Sequence, residues 1–303
     1  MRKFLITASV IYSVFVASIC KGIAAQPIAY FYCHGLGFSS TDASNVVRWF
    51  EHNGSPYYNE RYIVDQPLIS FNFPDVGKET YNKTEANFAQ EQDIATVTSH
   101  YLKTVPSFYK KVVIFGHSRG AAAALEFVAL HDRPEIAAIV ASAPFDSIRS
   151  CIKNWVHNKV GYLSSSLAPC VDKTVAPWYF AKKYNPEGIQ PIKVIHQIRP
   201  TIPILFVCTK EDVVVPYWST LKLYQALIIA GHKHAYILIL NKGAHSTMLQ
   251  EEEGNIYESV VHAFYQRYNL PNDPEKAALG VTLLSDCQPA LHELRSHFAS
   301  VTV

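Results

Sequence analysis

The chain has 303 residues, of which 49% are hydrophobic and 17% are charged, and this composition is typical of a globular protein with a large buried core. The formal net charge of +2 is close to neutral, which argues against nucleic acid as a partner. The cysteines form no CxxC pair and no His/Cys cluster with zinc spacing, so we expect no structural metal.

The N-terminal segment differs in composition from the rest of the chain. Arg2 and Lys3 precede an uncharged run at 4–19, and small residues follow up to Ala25. This pattern predicts a secretory signal peptide over residues 1–25, because the run is shorter than the roughly 20 residues of a membrane helix. A retained signal anchor is the alternative. We therefore expect a secreted or periplasmic protein whose mature chain has a net charge of about −1 and no transmembrane segment.

Short apolar runs alternate with helical patterns along the remaining chain. Strands are predicted at 27–33, 68–73, 112–116, 137–143, 203–208 and 235–240, and helices at 86–104, 118–131 and 254–268. The strand runs are continuous rather than alternating, as expected when both faces of a parallel sheet are covered. The order predicts an α/β fold with a doubly wound, mostly parallel sheet of about six strands. The segment 270–303 has a partly helical pattern and no assigned role.

The first predicted strand of the mature chain is followed by the sequence HGLG at residues 34–37. A glycine-bracketed loop in this place can turn a backbone N–H, that of Leu36, toward a negatively charged oxygen. An ordinary glycine turn before a helix is the alternative interpretation.

The stretch VVIFGHSRGAAAALEF, residues 112–127, places Ser118 between Gly116 and Gly120, where a buried strand turns directly into an alanine-rich helix. This context predicts a nucleophile elbow, in which the glycines allow the backbone to turn tightly and the serine projects from the turn. The N–H of Arg119 would be a second donor to a negatively charged oxygen. A serine that caps the helix N-terminus is the alternative.

Residues 146–195 interrupt the strand–helix alternation. They show no convincing strand, only a patchy helical pattern and several aromatic side chains. Because a loop of this length needs a structure of its own, we predict a mainly helical cap insertion at the carboxyl edge of the sheet, between core segments 26–145 and 196–303. The aromatic residues suggest an apolar group in the substrate, although such side chains also serve as ordinary core packing.

Two cysteines of this insertion, Cys151 and Cys170, lie close together in the sequence. Export permits disulfide bonds, so we predict a disulfide between them. In the chain-entropy model a bridge of this loop length stabilises the fold by roughly 3 kcal/mol. The odd number of cysteines in the mature chain leaves at least one thiol outside any such pairing.

Asp212 and His245 follow the predicted strands 203–208 and 235–240. Because the carboxyl ends of parallel strands meet at one edge of a sheet, Ser118, Asp212 and His245 can converge as nucleophile, acid and base.

The choice of acid has an alternative. Glu211 is adjacent to Asp212, and Asp146 also follows a predicted strand. Some folds of this kind take their acid from the earlier strand, so Asp146 stays open at this point.

With the motifs HGLG, GHSRG, DVVVP and GAH in this order, the chain resembles the α/β-hydrolase superfamily over most of residues 27–268. The resemblance implies that Ser118 is the nucleophile, Asp212 the acid and His245 the base. It also implies that Leu36 and Arg119 donate backbone N–H groups to the oxyanion. The leader runs almost directly into the HG strand, so the first two strands usual in the family are expected to be missing.

From these residues we expect a secreted or periplasmic serine hydrolase that needs no cofactor and cleaves a carboxylic ester, either of a small molecule or of a lipid. A peptidase or a thioesterase would use the same three residues. A binding module of the same fold that has lost catalysis, or a lyase-like use of the site, are alternatives of other classes.

Overall fold

Six parallel strands form one sheet in the part of the chain that the structure describes. The computed structural model describes residues 28–35, 68–73, 90–105, 109–160, 170, 185, 187–245, 248 and 252–294. The strands are β1 (Ile28–Cys33), β2 (Leu68–Ser70), β3 (Lys111–His117), β4 (Ile136–Ser142), β5 (Ile204–Thr209) and β6 (Ala235–Leu240). Every neighbouring pair is parallel, in the order β2-β1-β3-β4-β5-β6. The predicted parallel sheet of about six strands is confirmed.

Helices connect these strands and cover both faces of the sheet. They are α1 (Glu91–Thr104), α2 (Arg119–Leu130), α3 (Ile148–Val160), α4 (Pro191–Val194), α5 (Tyr217–Ile229), α6 (Gly254–Arg267) and α7 (Pro274–Asp286), with a 3₁₀ turn at Ile195–Gln197. Three of them correspond to the predicted helices. The sequence pattern missed α5, because it buries Ser219 and Thr220 while Ile229 is 69% exposed, which blurs the polar and apolar faces.

The core lies in two layers, one on each side of the sheet. Side chains from α1, α2, α3 and α5 pack on one face, and side chains from α6 and α7 pack on the other. The alanine run of α2, residues 121–124, is fully buried. Small side chains allow this helix to approach the neighbouring strands closely, so it lies in the interior rather than at the surface.

The C-terminal segment protects the outer edge of the sheet. The N–H of Ile237 in β6 donates to the carbonyl oxygen of Cys287 at 2.7 Å, just after α7. Helix α7 also packs tightly on α6, since a Cβ added at Gly280 would lie 2.0 Å from the carbonyl oxygen of Ser259. The described part of 270–303 therefore covers a strand edge that would otherwise be open to pairing with another chain.

The predicted cap insertion lies only partly within the described residues, since 161–169 and 171–184 fall outside them. Its first helix, α3, buries Ile148, Ile152 and Val156 against the core. This spacing of four residues places the three side chains on one helical face, so α3 is fixed to the body of the protein.

The predicted disulfide between Cys151 and Cys170 is wrong, because Cys151 is a free thiol. The Cys151 side chain packs against the core below α3, whereas Cys170 is exposed. Burial raises the pKa of the Cys151 thiol well above its ordinary value, which keeps it protonated and unreactive. The predicted signal peptide, 1–25, lies outside the described residues, among which no helix combines the length and apolar character needed to cross a bilayer.

Candidate active site

Ser118 occupies the turn between β3 and α2 in a strained backbone conformation. Its φ of 53° lies in the left-handed region that favours glycine. The N–H of Ser118 donates to the carbonyl oxygen of Ser142 at 2.8 Å, and its own carbonyl accepts from Ala122, the first bond of the helix. The Ser118 hydroxyl makes no capping hydrogen bond to α2. The structure therefore does not support the N-cap alternative, and the side chain is available at the turn.

The two glycines of the motif are required by close backbone contacts. A Cβ at Gly116 would lie 2.5 Å from the Cα of Ala121, and a Cβ at Gly120 would lie 2.1 Å from the carbonyl oxygen of Cys33. Neither position has room for a side chain. The turn is consequently pressed against the end of β1, where the HG sequence begins.

Three side chains predicted from distant parts of the sequence meet at the carboxyl edge of the sheet. His245 Nε2 lies 2.8 Å from Ser118 Oγ, and His245 Nδ1 lies 2.6 Å from Asp212 Oδ2. Because an ionised carboxylate can only accept hydrogen bonds, the Asp212 contact requires a proton on Nδ1, which leaves Nε2 as the acceptor for the Ser118 O–H. This is the arrangement in which an imidazole can take the serine proton.

The Asp212 carboxylate is fixed on both sides. Its Oδ2 faces His245, while its Oδ1 accepts the backbone N–H groups of Val214 and Val215, each at 2.8 Å. The side chain is fully buried. The carboxylate has little freedom to rotate away from the imidazole, since turning it would break two bonds to its own loop.

The other two acids considered for this position have different partners. Asp146 Oδ1 accepts the Ser219 hydroxyl, and Asp146 Oδ2 lies 3.4 Å from Lys222 Nζ. Glu211 accepts from Lys242 Nζ at 3.1 Å and from the N–H of Gly243 at 3.2 Å, so it holds the loop that precedes His245. The carboxylate that the structure places on the imidazole is that of Asp212.

His117 lies directly beside the imidazole of His245. The two rings are 5.1 Å apart between centroids, and His117 Nδ1 lies 3.3 Å from Ser142 Oγ. Burial, and then the proximity of His245, lower the pKa of His117 well below its ordinary value. A neutral ring at this place packs against His245 without adding a competing positive charge.

The predicted oxyanion donors are described only in part. Leu36 lies outside the described residues, whereas His34 and Gly35 lie within them and are buried. Arg119 is the first residue of α2, and helix geometry gives the N–H groups of a first turn no carbonyl partner in the same helix. Such N–H groups at a helix N-terminus suit a negatively charged oxygen.

One buried ion pair next to Ser118 was missed by the sequence analysis. The Arg119 guanidinium contacts both carboxylate oxygens of Asp93 in α1, each at 2.7 Å, and both side chains are almost completely buried. The only local signal for this pair is weak, a single aspartate beside the apolar face of α1. Among the described residues no group of three or more His, Cys, Asp or Glu side chains is arranged to hold a metal ion.

Comparison with known proteins places this site in a family. The model of the prolyl oligopeptidase family matches residues 72–270. The Bacillus subtilis (strain 168) protein YqkD, itself uncharacterized, is 27% identical over 187 residues, which cover 58% of this chain and 58% of that protein. The chain thus spans less than two thirds of this relative.

Solved structures show the same fold at low sequence identity. The esterase Pf2001 of Pyrococcus furiosus superposes with a TM-score of 0.54 at 15% identity, covering 80% of this chain and 83% of the esterase. The acylaminoacyl peptidase of Pyrococcus horikoshii gives a TM-score of 0.53 at 14% identity, covering 80% of this chain and 37% of the peptidase.

The family match extends over most of the sheet and includes the positions of all three residues that meet at its edge. The matched structures are hydrolases with the fold that the sequence predicted. The chain belongs to the prolyl oligopeptidase family and has the fold of the α/β hydrolases that it resembles in sequence.

Proposed function

We propose that this protein hydrolyses carboxylic esters of small molecules or lipids, with Ser118 as the nucleophile, His245 as the base and Asp212 as the acid that orients it. The observation that supports this most strongly is the continuous hydrogen-bond chain from Asp212 through His245 to Ser118, with contacts of 2.6 and 2.8 Å. A serine without such a base is a poor nucleophile.

The reaction proceeds in two halves. Ser118 Oγ attacks the ester carbonyl carbon as its proton passes to His245 Nε2, and the carbonyl oxygen becomes an oxyanion that the N–H groups of Leu36 and Arg119 stabilise. The C–O bond to the leaving alcohol then breaks, and His245 returns the proton to that alcohol. In the second half a water loses a proton to His245 and attacks the acyl-enzyme, which releases the acid and restores the Ser118 hydroxyl.

The immediate surroundings favour an apolar substrate group. Val213 and Val214, which follow Asp212 in the sequence, are 63% and 50% exposed, so the loop that carries the acid presents apolar surface. The side chains of Asn154 and Asn158 in α3 both donate to the carbonyl oxygen of Val213, which fixes this loop against the first helix of the insertion. The pattern of residues 1–25 supports the further proposal that the enzyme is secreted or periplasmic.

A peptidase is the second candidate function. It is favoured by the match to the prolyl oligopeptidase family and by the structural similarity to an acylaminoacyl peptidase. The same three residues would cleave an amide, since the acyl-enzyme step is shared and only the leaving group differs.

The test begins with covalent labelling by a fluorophosphonate probe. We expect the wild-type protein to be labelled and Ser118→Ala to resist labelling, with ester turnover reduced on the order of 10⁶-fold. The matched control is Ser99→Ala, an exposed serine of α1, which should label like the wild type. A folded wild-type protein that does not react would contradict the enzyme proposal and favour the binding module.

Matched substrates separate the two catalytic candidates. A p-nitrophenyl ester and a p-nitroanilide with the same acyl group differ only in the bond that is cleaved. An esterase should turn over the ester alone at a useful rate, with acyl chains of rising length revealing whether lipids are preferred. Efficient cleavage of the anilide would instead identify the peptidase.

A further inference from the structure

We propose that Asp93 is a positioning residue for the oxyanion donor of Arg119, on which it acts through the Arg119 side chain; this rests on the proposed function. The backbone N–H and the side chain of Arg119 have separate roles. Its backbone N–H lies at the start of α2 next to Ser118, and its guanidinium reaches into the interior between α1 and α2.

The Asp93–Arg119 contact fixes the guanidinium in one geometry. Nε and Nη2 of Arg119 each donate to a different oxygen of Asp93 at 2.7 Å, and this paired arrangement restrains the guanidinium and the carboxylate in one relative orientation. The Phe73 ring covers the guanidinium, with its centroid 4.4 Å from the Arg119 Cζ atom. Two sides of the planar group are therefore occupied, one at its edge and one at its face.

Phe73 also contacts His34, the residue that follows β1. The N–H of Phe73 donates to His34 Nε2 at 3.3 Å, and the two rings pack edge to face at 5.0 Å. Because His34 Nε2 is the acceptor, its proton resides on Nδ1, which donates to the carbonyl oxygen of Gly35 at 2.7 Å. Gly35 directly precedes Leu36, the residue predicted to supply the second donor.

The turn between β3 and α2 is also in direct contact with the residues at the end of β1. A Cβ added at Gly120 would lie 2.1 Å from the carbonyl oxygen of Cys33 and 2.5 Å from that of His34. The turn that contains Ser118 and Arg119 is thus seated against the start of the HG loop. Asp93 holds Arg119 from α1, so the position of the Arg119 backbone N–H against this loop depends on the buried ion pair.

The energetics favour a positioning role over a purely stabilising one. A buried ion pair repays the cost of removing two charges from water only in part, and replacing both partners by apolar residues is often neutral or favourable for stability. Its fixed geometry, however, is what an oxyanion hole requires, because donors must be preorganised where the negative charge develops.

Asp93→Asn and the double variant Asp93→Leu/Arg119→Met test this role. The single variant keeps the shape and removes the charge of Asp93. The double variant removes both members of the pair, so that neither is left buried without the other, and it should fold even where the single variant does not. The matched control is Asp132→Asn, which removes an exposed ion pair to Arg199 at 3.1 Å. Active sites are counted by complete fluorophosphonate labelling, so that rates refer to folded enzyme.

We expect kcat of the double variant on the best ester substrate to fall about 10²-fold while KM stays unchanged, because a small displacement of the residue 119 N–H weakens only the transition state. Affinity for a trifluoromethyl ketone, whose adduct with Ser118 places an oxyanion in the hole, should fall by a similar factor. The Asp132→Asn control should behave like the wild type in both measurements.

Other outcomes overturn the proposal. Variants with wild-type kcat per labelled site, a loss confined to KM, or undiminished affinity for the ketone would each show that Asp93 has only a structural role. If the variants give one of these results while the wild type turns over substrate, the role of Asp93 is refuted and the proposed function is not. A wild type that neither labels nor turns over any ester or amide contradicts both.

Discussion

The loops that follow β4 and β5 each place a buried aspartate at the carboxyl edge of the sheet, and the exposed fractions of Asp146 and Asp212 are 4% and 5%. Their partners differ. Asp212 bonds two N–H groups of its own loop with one oxygen and His245 with the other, whereas Asp146 contacts Ser219 and Lys222 of α5. Equal burial after neighbouring strands therefore does not decide which acid serves a base. The two aspartates are distinguished by the group that contacts the second carboxylate oxygen, which is the imidazole of His245 for Asp212 and the amine of Lys222 for Asp146.

If the two aspartates differ in this way, the largest loss of activity is expected from a substitution at Asp212. In Asp212→Asn the side-chain oxygen should keep the two N–H bonds from Val214 and Val215, which turns the amide N–H₂ toward His245. The imidazole would then carry its proton on Nε2 and could not accept the Ser118 proton. We expect kcat for ester hydrolysis to fall about 10⁴-fold, measured by steady-state kinetics on folded protein.

The same substitution at Asp146 is the internal control for that measurement. Asp146→Asn should leave kcat per labelled site close to the wild-type value, since within the described residues the Asp146 carboxylate contacts Ser219 and Lys222 and not the reacting groups. If Asp146→Asn lost more activity than Asp212→Asn while remaining folded, the assignment of the acid would have to be reversed.

A smaller effect, on stability rather than on rate, is expected at Asp146. The Asn side chain weakens the bond from Ser219 and loses the attraction of Lys222, so the free energy of unfolding should fall by about 1–2 kcal/mol, measured by urea denaturation. Lys222→Met separates the two contributions. Lys222 is 42% exposed, so its removal alone should cost less than about 1 kcal/mol. An equal loss in both variants would assign the effect to the lysine.

The sequence predicted the residues that meet at the sheet edge because that edge is a property of the fold. Continuous apolar runs indicated parallel strands, and parallel strands bring their carboxyl ends together whatever the distance between them in the sequence. Ser118 and His245 therefore followed from strand order together with the glycines beside them, those of GHSRG and of GAH. The choice between Asp212 and Asp146 did not, because both follow a strand and only the orientation of their side chains separates them.

Interactions between elements were not predictable in the same way. The predicted bridge between Cys151 and Cys170 relied on closeness in sequence, yet α3 turns Cys151 toward the core while Cys170 is exposed. The ion pair between Asp93 and Arg119 joins two helices whose contact no local pattern encodes. Helix α5 was missed because its buried serine and threonine and its exposed isoleucine contradict the usual polar and apolar faces.

Another buried acid, Glu126 in α2, extends the comparison of Asp146 and Asp212, because it lacks the hydrogen-bond partners that those two aspartates have. Its side chain is fully buried, and neither carboxylate oxygen has a hydrogen-bond partner among the described residues. Burial, and then the negative charges of Asp93 and Glu91, raise the pKa of Glu126 well above its ordinary value of 4.5. The folded protein therefore keeps this carboxyl protonated at pH values where the unfolded chain has lost the proton.

The sign of the pH dependence follows from this difference. Between pH 4.5 and the raised pKa, the folded state holds one more proton than the unfolded state, so stability falls as the pH rises, by at most about 1.4 kcal/mol per pH unit. Glu126→Gln removes the titrating group, so its stability gain over the wild type should be small near pH 5 and larger at pH 8. Urea denaturation of both proteins at the two pH values measures this gain.

Glu187→Gln, an exposed carboxyl with 79% of its side chain accessible, should show no such change. A gain at Glu126 that is the same at both pH values would mean that the carboxyl is ionised in the folded protein, and that an unpartnered buried acid is tolerated here as a charge.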